Sequence, residues 1–218
     1  MRRVLVLNTG GTIGMQDTPN GYACGPPGFL AGICRSVPMI HDPAFAEAIA
    51  AQPNSGDGKA TTGDFRPDEM LVTPVGEFGT RTMFQIVDYN PLLDSSNMTH
   101  VDWVRIASDI EAHYSQWDAF IVLHGTDTMA FTCTVRPHTP AYAPTAAVVP
   151  INRALTIIPF HLDSLRGQAL SLMLQNLAKT VVVTGSQIPL VRPRSDGIAN
   201  FLGALLIAGT FDIPEVTL

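Results

Sequence analysis

No run of apolar residues approaches the roughly 20 that span a bilayer, and the apolar stretch behind Arg2 and Arg3 breaks at Asn8 into a polar, glycine-rich turn. That pattern points to a soluble, unsecreted, cytoplasmic protein with no membrane partner. Basic residues are scarce as well: 13 Lys and Arg stand against 19 Asp and Glu, a net charge of −6, and they are scattered rather than clustered. A nucleic acid partner is therefore not expected, because no basic stripe is present to meet a phosphate backbone. The three cysteines, Cys24, Cys34 and Cys133, form neither an even disulfide set nor a close pair of metal-ligand spacing, which suits reduced thiols. His100, His113, His124, His138 and His161 show no HxxxH pattern either, so no metal or cofactor is expected.

What the sequence does contain is apolar patterning: 46% of the 218 residues are hydrophobic, enough for one large domain. Val4 to Leu7 is a continuous apolar run stopped by Asn8-Thr9-Gly10-Gly11, as in a strand buried on both faces. The design recurs where Ala119 to Leu123 runs into His124-Gly125-Thr126 and where Thr180 to Val183 runs into Thr184-Gly185-Ser186. Between them, Trp103, Ile106, Ala107, Ile110, Tyr114 and Trp117 keep helix spacing behind a capping box of Thr99 and Asp102. Leu165, Ala169, Leu172, Met173 and Leu177 make a second stripe, and Ile198 to Ala208 is apolar almost all round, as in a helix packed on a sheet. Alternating strands and helices predict an α/β fold: three layers, a mostly parallel sheet with helices on both faces, flavodoxin-like or Rossmann-like. Pro53 to Phe65 and Val135 to Pro159, the latter with five prolines, read as loops, and Pro214 to Leu218 reads as the start of a further strand.

Ligands of open α/β sheets bind outside the carboxyl ends of the strands, where Thr9-Gly10-Gly11-Thr12, His124-Gly125-Thr126-Asp127 and Gly185-Ser186 would gather. Glycines there let backbone amides approach a ligand and stabilise an anion or a developing oxyanion. Neither G-x-G-x-x-G nor G-x-x-x-x-G-K-[ST] occurs, which argues against a dinucleotide or Walker loop, and no G-x-S-x-G elbow is present. Threonine is left as the candidate nucleophile, and its hydroxyl needs a base: a lysine kept neutral by burial, or a tyrosinate. Lys179 and Asp127 could form a Thr–Lys–Asp relay with Thr126; whether they meet is not decided by spacing. Taken alone, a threonine after Gly-Gly is an ordinary hydroxyl-capped turn.

Four stretches in order change that weighting: Asn8-Thr-Gly-Gly-Thr-Ile-Gly-Met15, Pro91-Leu-Leu-Asp-Ser-Ser-Asn-Met98, His124-Gly-Thr-Asp-Thr-Met-Ala-Phe131 and Lys179-Thr-Val-Val-Val-Thr-Gly-Ser-Gln-Ile-Pro189, followed by Arg194-Ser-Asp-Gly197. Through them the chain resembles the N-terminal, catalytic domain of bacterial-type L-asparaginases. The likeness is to the type I cytoplasmic enzymes in particular, and to the asparaginase domain of animal 60 kDa lysophospholipase-like proteins. The resemblance implies hydrolysis of L-asparagine to L-aspartate and ammonia without a cofactor, in an enzyme that is a homo-oligomer when complete. It implies Thr12 as the nucleophile that forms an acyl-enzyme and Tyr22, in a lid loop, as its activator. Thr126, Asp127 and Lys179 match a second set that moves protons and, through Asp127, holds the substrate's α-amino group. Asp94, Ser95 and Ser96 match the loop that grips the α-carboxylate. His124 and Asp196 are read as structural, at a strand end and a turn.

The chain departs from the pattern in two places. In the relatives, the helix opened by Thr128 runs directly into a sequence like Ala169 to Leu177; here residues 133–167 intervene, read as a disordered insertion whose prolines cannot extend a helix. The smaller C-terminal domain is also read as absent. Three rival readings follow: a non-catalytic amino-acid binding module, a lysophospholipase, and a related amidase acting on glutaminyl or tRNA-linked substrates.

Overall fold

Val4, Leu5, Val6 and Leu7 are each at most 2% exposed, so the first strand is covered from both sides. Its alternation sorts the two layers: Leu5 and Leu7 pack in one hydrophobic cluster and Val4 and Val6 in another. The computed structural model describes residues 1–50, 63–66, 69–133, 156–157 and 170–218. In chain order these form β1 (Arg2–Gly10), a short 3-10 turn at Thr12–Gly14, β2 (Met15–Thr18), β3 (Gly21–Cys24), α1 (Phe29–Ser36), α2 (Pro43–Ala50), β4 (Leu71–Val72) and β5 (Thr82–Leu93). There follow α3 (His100–His113), β6 (Ala119–Leu123), α4 (Met129–Cys133), β7 (Thr156–Ile157), α5 (Leu170–Met173), β8 (Leu174–Gln175), β9 (Val181–Thr184), α6 (Gly197–Thr210) and β10 (Val216–Thr217).

The main sheet has six strands in the order β10-β9-β6-β1-β5-β4, all parallel except β4, which runs antiparallel to β5. One face is covered by α3 and α5, with Ile106, Ala107, Ile110, Leu170 and Met173 against Leu5, Leu7, Phe120, Val122, Val181 and Val183. The other carries α1 and α6, with Leu30, Cys34, Phe201, Ala204 and Leu205 against Val4, Val6, Ile121 and Val182. Phe201 is fully buried and meets Phe84 of β5 edge-on, ring centres 5.7 Å apart; truncating such a side chain to alanine costs about 3–5 kcal/mol. The expected three-layer α/β architecture is therefore present.

The expected cap of α3 is present too: Asp102 Oδ2 accepts the Thr99 amide and the Thr99 hydroxyl, each at 2.8 Å. Pro214 to Leu218 supplies β10, which pairs with β9 through Val216 and Thr217. The stripe from Leu165 to Leu177 is different from its expectation. Among the described residues it gives only the four-residue α5, after which Leu174 and Gln175 turn to pair with β7 and Asn176 takes a left-handed φ of 58°. A strand partner and a left-handed residue end the helix in spite of its apolar period. Of the insertion read at 133–167, Cys133 ends α4 and Thr156–Ile157 form β7; residues 134–155 and 158–169 lie outside the described ones, as does most of the loop from Pro53 to Phe65. Among the described residues no helix is long and apolar enough to cross a membrane.

Candidate active site

β1, β5, β6 and β9 all end at the same edge of the sheet, and β1 lies between β5 and β6, so the strand order reverses there. A crevice at such a reversal is where α/β sheets bind ligands. A shift in register between Asn8 and Gly10 brings Gly10 opposite Leu93, and the Gly11 amide donates to the Leu93 carbonyl at 3.1 Å. Two glycines make the approach of the loops possible. A Cβ on Gly11, whose φ is +81°, would sit 2.5 Å from the Gly125 nitrogen, and one on Gly125 would sit 2.4 Å from the Ser95 Oγ. The turn after β1 thus meets the turn after β6 backbone to backbone, and the turn after β6 meets the turn after β5 with only the small Ser95 side chain between them.

On these turns Thr12 opens the 3-10 turn and is half-buried, and among the described residues its hydroxyl makes no hydrogen bond. Thr126 follows Gly125; its Oγ1 accepts the Gln187 side-chain amide at 2.9 Å. Asp127 is exposed beside it. Ser95 is 2% exposed, whereas Asp94 and Ser96 stand at the rim, and Asp94 Oδ1 accepts the Ser96 amide at 3.1 Å to cap the turn Ser95–Asn97. Tyr22 is 49% exposed on β3, which pairs antiparallel with β2. The loop expected around Tyr22 is therefore a hairpin, closed at its root by the Gly25 amide on the Gly14 carbonyl at 3.2 Å, in the same 3-10 turn as Thr12. That root lies close to the carboxylate rim: the Cys24 thiol is pushed up first by burial and then by the charge of Asp94.

Lys179 is not part of this group. It precedes β9, at the amino edge of the sheet, while Thr126 follows β6 at the carboxyl edge, and the two strands are parallel. Its Nζ donates to the Tyr114 and Trp117 carbonyls, the latter at 2.6 Å, and lies 4.5 Å from the Tyr114 ring centre. Burial lowers its pKa, the Asp118 carboxylate opposes that shift, and Arg3 adds to it. The side chain is engaged with the carbonyls that follow α3, the place where a cation meets the negative end of a helix. A Thr126–Lys179–Asp127 relay does not form in this arrangement.

His124 and Asp196 take the structural positions expected of them. His124 is fully buried; burial lowers its pKa, and its Nδ1 lies 2.7 Å from the Gly125 carbonyl, which can only accept, so Nδ1 carries the proton. Its Nε2 then accepts from the Thr132 hydroxyl at 2.8 Å, which in turn accepts the Trp103 Nε1 at 2.9 Å. Asp196 receives the Gln187 and Ile188 amides at 2.9 and 3.0 Å. Two polar residues were not singled out from the sequence, Thr128 and Gln187. Both lie inside the matched stretches, and a polar side chain two or three positions after a strand-end glycine was the signal available. Among the described residues no group of His, Cys, Asp or Glu is disposed to hold a metal ion.

Comparison with known proteins agrees with this architecture. The chain is 37% identical over 217 residues to the 60 kDa lysophospholipase of Mus musculus, covering all of this chain and 29% of that protein. It is 36% identical over 217 residues to L-asparaginase 1 of Escherichia coli K12, covering 43% of that protein. The crystal structure of L-asparaginase I from Vibrio cholerae superposes with a TM-score of 0.62 at 33% identity, covering all of this chain and 44% of the other. The chain spans less than half the length of these relatives. The family model "Asparaginase, N-terminal" matches residues 3–140 and 165–218 and leaves 141–164 unmatched, and with so much of its length matched the chain belongs to the asparaginase family.

Proposed function

We propose that this chain carries the nucleophile and the substrate-binding loops of an L-asparagine amidohydrolase, acting in the cytoplasm as part of an oligomer. The supporting observation is the direct packing of Gly11 on Gly125 and of Gly125 on Ser95, since it draws the turns bearing Thr12, Thr126–Asp127 and Asp94–Ser96 to one crevice. In this reading the Thr12 hydroxyl oxygen attacks the side-chain amide carbon of L-asparagine, its proton leaves with the nitrogen as ammonia, and water then releases L-aspartate from the threonine ester. Tyr22, rooted beside Thr12 by the hairpin, takes the threonine proton. Asp127 binds the α-ammonium. Asp94 acts by capping the turn that presents Ser95 and Ser96 to the α-carboxylate, because a carboxylate facing a carboxylate would repel it.

A second reading, an amino-acid binding module without turnover, is supported by one observation: the Lys179 ammonium is committed to the Tyr114 and Trp117 carbonyls at the far edge of the sheet. Ammonia release from L-asparagine separates the two, measured on the native chain, on Thr12→Ala, and on the chain extended by the remaining portion of a relative. Release that vanishes in Thr12→Ala supports the hydrolase. Release that survives Thr12→Ala removes the threonine mechanism. Activity confined to the extended form would make the isolated chain a binding module within a larger enzyme.

A further inference from the structure

The hydrogen bond between Gln187 and Thr126 has a defined direction. The Gln187 Nε2 amide group has protons and no acceptor lone pair, so at 2.9 Å the Thr126 Oγ1 must be accepting. A threonine hydroxyl has one proton, and among the described residues nothing else engages this one. Thr126 therefore faces the crevice as a donor, and the group it meets on a ligand must be an acceptor: a carboxylate or carbonyl oxygen, or the nitrogen of a departing amine.

Gln187 does not rest there by its side chain alone. Its own backbone amide and that of Ile188 both point to the Asp196 carboxylate, at 2.9 and 3.0 Å, one oxygen each. Asp196 stands at the amino end of α6, and Asn200, one turn into that helix, donates to Asp196 Oδ2 at 3.3 Å and to the Gly185 carbonyl at 2.9 Å. The segment from Gly185 to Ile188 is thus pinned at three backbone groups to α6. Gly185 presses against the other side of the same turn, where a Cβ would come within 2.1 Å of the His124 carbonyl oxygen and 3.5 Å of the Thr126 Cγ2.

We infer that Gln187, held by Asp196 and Asn200, is a positioning residue that sets the hydrogen-bond polarity of Thr126 and so makes its hydroxyl a donor to the ligand. The inference rests on the amidohydrolase reading for what the ligand is, though not for the polarity itself. Gln187→Glu keeps the shape and replaces the donor by an acceptor. The Thr126 proton would then turn to the new carboxylate, and the hydroxyl would present only lone pairs to the ligand. Gln187→Met removes the bond without inverting it.

Two measurements on the full chain test this. In nitrogen-15 spectra the Gln187 side-chain amide, assigned by its loss in Gln187→Met, is expected to shift in Thr126→Val; an unmoved resonance overturns the inference whatever the activity. Titration with L-aspartate, beside L-asparagine turnover where the chain supports it, is expected to show Gln187→Glu weaker than native by about tenfold or more and Gln187→Met between the two, since loss of a hydrogen bond to a charged group has that size. Gln187→Glu within about twofold of native would overturn the ligand-donor role. Because Gln187 is exposed, melting temperatures are expected to stay within about 2 °C, which separates this effect from unfolding. A shifted amide resonance in a chain that binds no L-aspartate would leave the polarity standing and count against the amidohydrolase reading alone.

Discussion

The Thr128 hydroxyl donates to the Ser95 carbonyl at 2.8 Å, joining the turn after β6 to the turn after β5. This bond lies beside the Gly125–Ser95 contact, so the two turns are held by both packing and polarity. Thr128→Val keeps the volume and removes this bond from the Ser95 carbonyl, which retains the Met98 amide at 3.2 Å. A loss of about 1 kcal/mol in urea unfolding is expected. If the Asp94–Ser96 turn binds substrate, KM for L-asparagine rises while kcat changes less; an unchanged KM would detach Ser95 from substrate binding.

Gly11→Ala is expected to be far more damaging than an alanine elsewhere in a turn. The new methyl would need to occupy a point 2.5 Å from the Gly125 nitrogen, on a backbone whose φ of +81° already disfavours a side chain. Relief requires the two turns to separate. We expect a stability loss of about 2 kcal/mol or more, together with loss of ligand binding. A variant that unfolds like the native chain would show that the turns do not need this approach.

Lys179→Met tests the place of that lysine. As a cation closing the end of α3 its loss lowers stability, by up to about 2 kcal/mol, and leaves the properties of the crevice alone. L-aspartate affinity per folded molecule is therefore expected to stay within about twofold. A large drop in affinity at unchanged stability would return Lys179 to the ligand site.

His124 gives the fold a pH dependence of predictable sign. Burial lowers its folded pKa below the ordinary 6.5, so the unfolded chain binds the proton more tightly. The corresponding stability is complete above the unfolded pKa and is lost as pH falls through the folded one. Unfolding free energy is expected to decline as pH is taken from about 7.5 to about 5, and the decline to be shallower in His124→Gln. Equal slopes in both proteins would show that other groups dominate.

The parts legible in the sequence are those whose local pattern and tertiary fate coincide. Val4 to Leu7 and Ala119 to Leu123 are continuous apolar runs because both their faces are covered, and in Ile198 to Ala208, apolar almost all round, Phe201, Ala204, Leu205 and Ala208 form the face that α6 buries against the sheet. Thr99 and Asp102 declare a helix start through bonds that close within four residues. β5 is harder to see: Gln85, Asp88 and Asn90 interrupt its apolar pattern, and its long register with β1 exists only once the strands lie side by side. The hairpin β2–β3 was hidden for the same reason.

For the site, sequence alone determined which residues are available: a hydroxyl or carboxylate beside a glycine at three strand ends. It also determined the family motif that groups Thr12, Thr126 and Asp127. Only the tertiary structure decided which of them meet. Parallel strands share their carboxyl ends, so Thr12, Ser95 and Thr126, which follow β1, β5 and β6, stand at one edge, whereas Lys179, which precedes β9, must stand at the other. Closeness in sequence hides this, because residues before and after a strand of four residues are near neighbours along the chain yet lie at opposite edges of the sheet.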